Sequence, residues 1–287
     1  MQDVLPSPAQ ATTRFTTVDG TRFAWRSFGP EQSMQPPLVL LHRFRAAMDD
    51  WDPRLLELLA EDRQVIAFDN RGVGESGGET PGTLEQAADD AAAFLRAVGI
   101  GQADVLGWSM GGMTAPLLAL RHPQLVRRLV LCGTLPAGGS PEVVPSSPEW
   151  GQRAGKPSYE DEDILWLFFT ASEASRAAGR ASLARMTRPG QPGSAVKTTP
   201  ATMQAQLAAI IRFYKNEGGW YELLREVQQP ALVANGDRDG AFPVVDSVVL
   251  ARELPHSQLA IYPDAGHGFL FQAPERFAAD VLAFLRH

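Results

Sequence analysis

Residues 104–112 read Asp-Val-Leu-Gly-Trp-Ser-Met-Gly-Gly, an apolar strand that runs directly into a Gly-x-Ser-x-Gly turn and then into a helix-forming stretch. Few local sequences restrict a fold so tightly. A serine at the tip of so sharp a connection requires strand and helix nearly to touch, which leaves no room for side chains at Gly107 and Gly111. The Ser109 hydroxyl then projects into a cleft beside the first N–H groups of a helix, where negative charge is favoured. Ser109 is therefore a candidate nucleophile.

The rest of the chain supplies the sheet that such a turn needs. Arg14 to Val18 and Thr21 to Ser27 flank Asp19-Gly20 and read as a hairpin with a tight turn. Buried-strand patterns follow at Leu38-Val-Leu-Leu-His, at Gln64-Val-Ile-Ala-Phe-Asp, at 103–108 and at 128–132, separated by helical patterns near 53–61, 84–98 and 110–121. Continuous apolar strands alternating with helices imply an α/β fold with a mostly parallel sheet covered on both faces. From Ala137 to Trp220 the rhythm breaks. Helical stretches near 160–171, 173–185 and 200–214 follow one another with Pro-rich and Gly-rich connections and no strand between them. Strand and helix then resume at Pro230-Ala-Leu-Val-Ala-Asn, at 257–262 and at 274–286. The expected organisation is a core domain of residues 12–136 and 221–287, interrupted by an all-helical cap, or lid, at 137–220. The first ten residues, polar and Pro-bearing, read as a lead-in.

Composition narrows the function classes. With 44% hydrophobic and 21% charged residues the chain is an ordinary globular one. Its 26 basic and 33 acidic residues give a net charge of -7 without a basic cluster, so a nucleic-acid partner is not expected. The single cysteine, Cys132, lies in an apolar strand and cannot form an intrachain disulfide. The first residues carry no basic flank followed by an apolar core, and no apolar run is long enough for a membrane span, so cytoplasmic residence is expected.

A serine hydroxyl is a poor nucleophile at neutral pH and needs a base and an orienting acid. Of five histidines, His267 stands in a Gly-flanked loop just past the last buried strand, Asp264-Ala-Gly-His-Gly-Phe. His122 reads as a helix-end residue, His256 as a solvated turn residue and His287 as terminal. The acid belongs in the loop after the strand at 231–235, where Asp237 and Asp239 compete. Asp239 is favoured, because the residues after Gly236 must first turn away from the sheet before a side chain can point back to the histidine.

The order nucleophile, acid, base, with Gly-Trp-Ser-Met-Gly-Gly at 107–112, Phe-Asp-Asn-Arg-Gly-Val-Gly-Glu-Ser at 68–76, Gly-Asp-Arg-Asp-Gly-Ala-Phe-Pro at 236–243 and Ala-Gly-His-Gly-Phe at 265–269, resembles the alpha/beta-hydrolase superfamily. The resemblance runs from about residue 20 to the end and is nearest the branch of esterases, lactonases, cofactor-independent haloperoxidases and carbon–carbon bond hydrolases. It implies an acyl-enzyme mechanism on a small-molecule substrate with no metal or organic cofactor. Two alternatives stand beside it: perhydrolysis with peroxide as second nucleophile, and a ligand receptor that retains the triad.

The resemblance also implies an oxyanion hole made by the backbone N–H groups of Met110 and Phe44. In the family the loop carrying the second donor begins His-Gly, whereas here it reads His42-Arg43-Phe44-Arg45. If glycine serves an unusual torsion there, Arg43 bears strain or the loop is rearranged. Arg43 or Arg45 either steadies an anionic part of the substrate or pairs with Asp49, Asp50 or Asp52. Aromatic residues crowd the lid, and Trp108, Trp51 and Trp166 are candidates for an apolar substrate pocket.

Overall fold

A computed structural model describes residues 11–186 and 198–286; the lead-in at 1–10 and His287 lie outside it. Asp19 and Gly20 both take positive φ, 47° and 76°, as the twist of a two-residue hairpin demands, and join β1 (Arg14–Val18) to β2 (Thr21–Phe28). The remaining strands are β3 (Leu38–Leu41), β4 (Val65–Phe68), β5 (Ala103–Trp108), β6 (Val126–Cys132), β7 (Ala231–Gly236) and β8 (Ser257–Tyr262). They form one eight-stranded sheet in the order β1-β2-β4-β3-β5-β6-β7-β8. β1 and β2, and β2 and β4, pair antiparallel; every other pair is parallel.

Because successive strand residues face opposite ways, each central strand feeds two cores. Val39 and Leu41 of β3 pack on one side with α2 (Leu84–Ala97) and α3 (Met110–Arg121). Leu38 and Leu40 pack on the other side with α1 (Pro53–Leu59) and the C-terminal helix at Pro274–Arg286. This two-sided burial explains why the strands read as unbroken apolar runs. Leu106 and Trp108 continue the second face to the end of β5, so Ser109 leaves the sheet with Trp108 beneath it.

Between β6 and β7 the described residues form helices and no strand: α4 (Pro148–Ala154), α5 (Asp161–Phe168), α6 (Glu173–Met186), α7 (Pro200–Tyr214) and α8 (Trp220–Leu223). The boundary expected at residue 220 falls on the first residue of α8. After β7 come α9 (Val244–Glu253), α10 (Phe269–Gln272) and α11 (Pro274–Arg286). No helix among the described residues is long and apolar enough to cross a membrane.

Candidate active site

Ser109 has φ 58° and ψ −115°, a region a non-glycine residue occupies at a cost of about 1–3 kcal/mol. Packing around it enforces that conformation. A Cβ on Gly107 would stand 2.2 Å from the Gly111 carbonyl oxygen, which is the close strand–helix approach the motif demands. Gly111 is needed for a different contact: its Cβ would stand 2.1 Å from the carbonyl oxygen of Leu41, on the neighbouring strand β3. The Ser109 N–H donates to the carbonyl of Cys132 at 2.8 Å, fixing the turn to the end of β6. Met110 is the first residue of α3, so its N–H has no acceptor within that helix.

His267 and Asp239 meet at the same end of the sheet. His267 Nδ1 lies 2.7 Å from Asp239 Oδ2, and both residues are buried. The other carboxylate oxygen of Asp239 accepts the N–H groups of Ala241, at 2.7 Å, and Phe242, at 3.1 Å, so the acid is aimed by its own loop. The imidazole is flanked by rings of Trp108, Trp150, Phe168 and Phe242, with centroids 5.7–5.9 Å away. Trp108 Nε1–H donates to the His267 carbonyl at 3.0 Å, linking the residue before the serine to the histidine's backbone. Gly133, at φ 51°, completes the junction, since a Cβ there would stand 3.1 Å from His267 Nδ1 and 3.3 Å from Asp239 Oδ2. The backbone of Ser109 is thus bonded to the residue next to the one lying against the His267–Asp239 pair. Sequence reasoning did not single out Gly133; its only signal was its place directly after an apolar strand.

The competing residues fall elsewhere. Asp237 is exposed and accepts the Ala265 N–H at 3.1 Å, bracing the His267 loop from outside. His122 pairs with Asp89 at 2.8 Å at the end of α3, and His256 is exposed. His42 is buried: its Nδ1 accepts the Trp51 indole N–H at 2.7 Å, and its Nε2 meets the Phe68 carbonyl. Burial pushes its pKa down to about 4, so it is a neutral strut. Trp51, expected as a pocket candidate, is the donor of that strut and only 2% exposed. Cys132 is buried, and burial pushes its thiol up.

The loop that departs from His-Gly resolves differently for its two arginines. The left-handed torsion is not at position 43; Arg45 carries it, at φ 62°. Arg43 pairs with Asp50 at 3.2 Å and donates to the Phe44 carbonyl at 2.9 Å. Its guanidinium lies over the rings of Phe168, at 4.9 Å, and Trp108, at 5.4 Å, while its buried Nε has no hydrogen-bond partner among the described residues. Arg45 forms no ion pair with Asp49, Asp50 or Asp52; it donates to the carbonyls of Ala154, Lys156 and Pro157. Both arginines border a cavity of about 330 Å³, whose walls include Trp108, Phe168, Phe169, Met186 and Phe271. Two of the four rings that flank His267, Trp108 and Phe168, are therefore also part of the cavity wall. Trp166 is not in that wall, and its ring is covered by the Arg153 guanidinium at 4.4 Å.

Known proteins bear the same architecture. The chain is 28% identical to a non-heme chloroperoxidase from Streptomyces lividans, with 94% of this chain and 98% of that protein covered. It is 32% identical to a 2-hydroxymuconate semialdehyde hydrolase from Pseudomonas putida, over 79% and 78% of the two chains. The solved structure of an alpha/beta hydrolase fold protein from Chitinophaga pinensis superposes with a TM-score of 0.84 at 33% identity, covering 96% of this chain and 98% of that one. The family profile described as alpha/beta hydrolase fold matches residues 36–274. With that match over most of its length, and with the strand order and strand-end turns described above, the chain belongs to the alpha/beta hydrolase fold family.

Proposed function

We propose that the protein is a serine hydrolase that cleaves an ester, lactone or related carbonyl bond of a small, partly apolar substrate. Ser109 is the nucleophile, His267 the base and Asp239 the group that orients it. The observation that carries this reading is the buried His267–Asp239 contact at 2.7 Å, set against the strand end to which the strained Ser109 is bonded.

In the proposed reaction His267 Nε2 takes the Ser109 proton as the oxygen attacks the carbonyl carbon. The Met110 and Phe44 N–H groups bear the developing oxyanion. Collapse expels the alcohol with the proton held by His267, and water then attacks the acyl-serine by the same route to release the acid. Asp239, held by two backbone N–H groups, keeps imidazole Nδ1 protonated and stabilises the imidazolium. Residues 137–220 act as the cap, and the cavity beneath it takes an apolar substrate group. Arg43 supplies that cavity with a cationic donor whose neutralisation by Asp50 is single-pronged, which favours substrates carrying an acceptor or carboxylate there. A second reading, in which peroxide replaces water in the second step, draws support from the similarity to the chloroperoxidase.

Hydrolysis of a panel of p-nitrophenyl esters and lactones, with and without peroxide, tests both. Activity is expected in the wild type and lost in Ser109→Ala. Equal inertness of the two proteins on every ester, lactone and amide sinks the hydrolase reading. Arg43→Met is expected to weaken binding of acidic esters while sparing neutral ones.

A further inference from the structure

Arg45 stands directly after Phe44, whose N–H is the proposed second oxyanion donor, and it is tied to the helical segment from every side. Its backbone N–H donates to Gln206 Oε1 at 2.9 Å, and its carbonyl accepts the Thr198 hydroxyl at 3.0 Å. Its guanidinium donates to the carbonyls of Ala154 at 3.2 Å, Lys156 at 2.6 Å and Pro157 at 2.9 Å, and lies 4.6 Å from the centre of the Tyr159 ring. Two stretches of the segment distant in sequence, 154–159 and 198–206, thus meet on one residue of the loop. Gln206 is only 3% exposed, on the inward face of α7, so its amide is a buried acceptor committed to this bond.

Arg45 also carries a left-handed torsion, φ 62°. A residue in the left-handed region holds that conformation only where its surroundings over-determine it. At Arg45 those surroundings are the Ala46 N–H bond to the Arg43 carbonyl at 3.2 Å, which closes the turn, the Arg43 side-chain bond to the Phe44 carbonyl, and the contacts to the helical segment. Phe44 and Arg45 are the two central residues of that turn, and an oxyanion donor acts only when its N–H is already aimed, so an anchor on Arg45 also steadies the turn that carries the Phe44 N–H.

We infer that Arg45 is a positioning residue: it fastens the turn that carries the Phe44 N–H to the docked helical segment, so that seating of the cap and the aim of the second oxyanion donor are coupled. The catalytic use of this coupling rests on the serine-hydrolase reading, whereas the coupling itself does not. Arg45 touches no reacting atom. Three of its five side-chain N–H groups donate to the three carbonyls.

Arg185 provides the control. It ties α6 to Asp52 of the core with Nε 2.8 Å from the carboxylate and makes no described bond to residues 42–46. Arg45→Met, Gln206→Met and Arg185→Met should be compared by ester turnover, thermal unfolding and amide hydrogen exchange. Arg45→Met is expected to lower kcat roughly 10- to 100-fold with KM changed less than about threefold, a fraction of the loss of a whole oxyanion donor. Gln206→Met, which removes only the side-chain acceptor of the Arg45 backbone N–H, is expected to lower kcat in the same direction by less. Arg185→Met is expected to lower Tm with kcat within about twofold of wild type. Exchange at residues 42–47 should quicken in the first two variants and not in the third. Equal kcat losses in Arg45→Met and Arg185→Met, or unchanged exchange at 42–47 in folded Arg45→Met and Gln206→Met, overturn the inference. A wild type inert on every acyl substrate but with the expected exchange pattern would uphold the coupling and remove the hydrolase reading.

Discussion

Ser109, Asp239 and His267 follow the ends of β5, β7 and β8, and backbone hydrogen bonds fix where those ends lie: Ser109 N–H to Cys132, Gly133 N–H to Ala234. The helical segment between β6 and β7 is held largely by side chains. Asp52 accepts from Ser182 and Arg185, Asp264 from Thr170 and Ser172, and Gln272 from Ser175. The contrast separates two tasks. A parallel sheet repeats its pairing from strand to strand and so can set positions through the backbone alone. A helical segment laid over that sheet has no such register and depends on individual polar anchors.

Changes to the sheet-borne site should therefore be the most severe. Asp239→Asn is expected to reduce kcat by about 10³–10⁴ with little change in fold, because the histidine loses its tautomer and not its place. Steady-state kinetics beside circular dichroism checks this, and a loss below tenfold would break the assignment of the acid. Gly111→Ala tests position through the backbone. Its Cβ would sit 2.1 Å from a carbonyl of β3 that cannot swing aside, so a loss of about 3 kcal/mol or more is expected in denaturant unfolding.

On the other side of the comparison, Asp52→Ala removes the cap of α1 and the anchor for Ser182 and Arg185 together. A loss of about 2–4 kcal/mol is expected, with proteolysis quickened in the helical segment before the sheet. Uniform proteolysis across the chain would remove the distinction between the two regions.

The smallest effect concerns Asp246, at the start of α9. Burial pushes its carboxyl up to about 6, the Val144 N–H opposes this, and repulsion from Asp239 adds to it; one oxygen has no hydrogen-bond partner among the described residues. The unfolded chain sheds this proton first, so the group's effect is to lower stability as pH rises from about 4 through 6. Asp246→Asn should leave stability unchanged below pH 4 and raise it by about 1–2 kcal/mol above pH 6, read from unfolding curves across that range. A gain that does not depend on pH would place its origin outside this titration.

The same contrast accounts for what could be read in advance. Strands β3, β4 and β5 declare themselves as apolar runs because both faces are buried, and α3 begins where the Gly-x-Ser-x-Gly geometry requires. Helix α9 does not, since its valines suit a strand as well as a helix until Pro243 and Asp246 are placed in space. The preference for Asp239 rests on loop direction, which has a physical basis in the turn after Gly236. The two arginines differ: the ion pairing of Arg43 with Asp50 is local and foreseeable, whereas the three carbonyls that hold Arg45, more than 100 residues away, are not. A non-periodic partner leaves no trace in the residue that binds it.

The order of strands in the sheet carries a consequence for how the molecule comes together. His267 and Asp239 are 28 positions apart, so their contact closes a short loop of chain. Pairing β6 with β7 instead closes an excursion of roughly 100 residues, a slower step that local contacts do not reward. A nascent or refolding chain can thus form the Ser109 turn and, separately, the His267–Asp239 contact, without either half finding the other. Recovery of turnover would then lag recovery of secondary structure, making activity a clock for the last closure of the sheet.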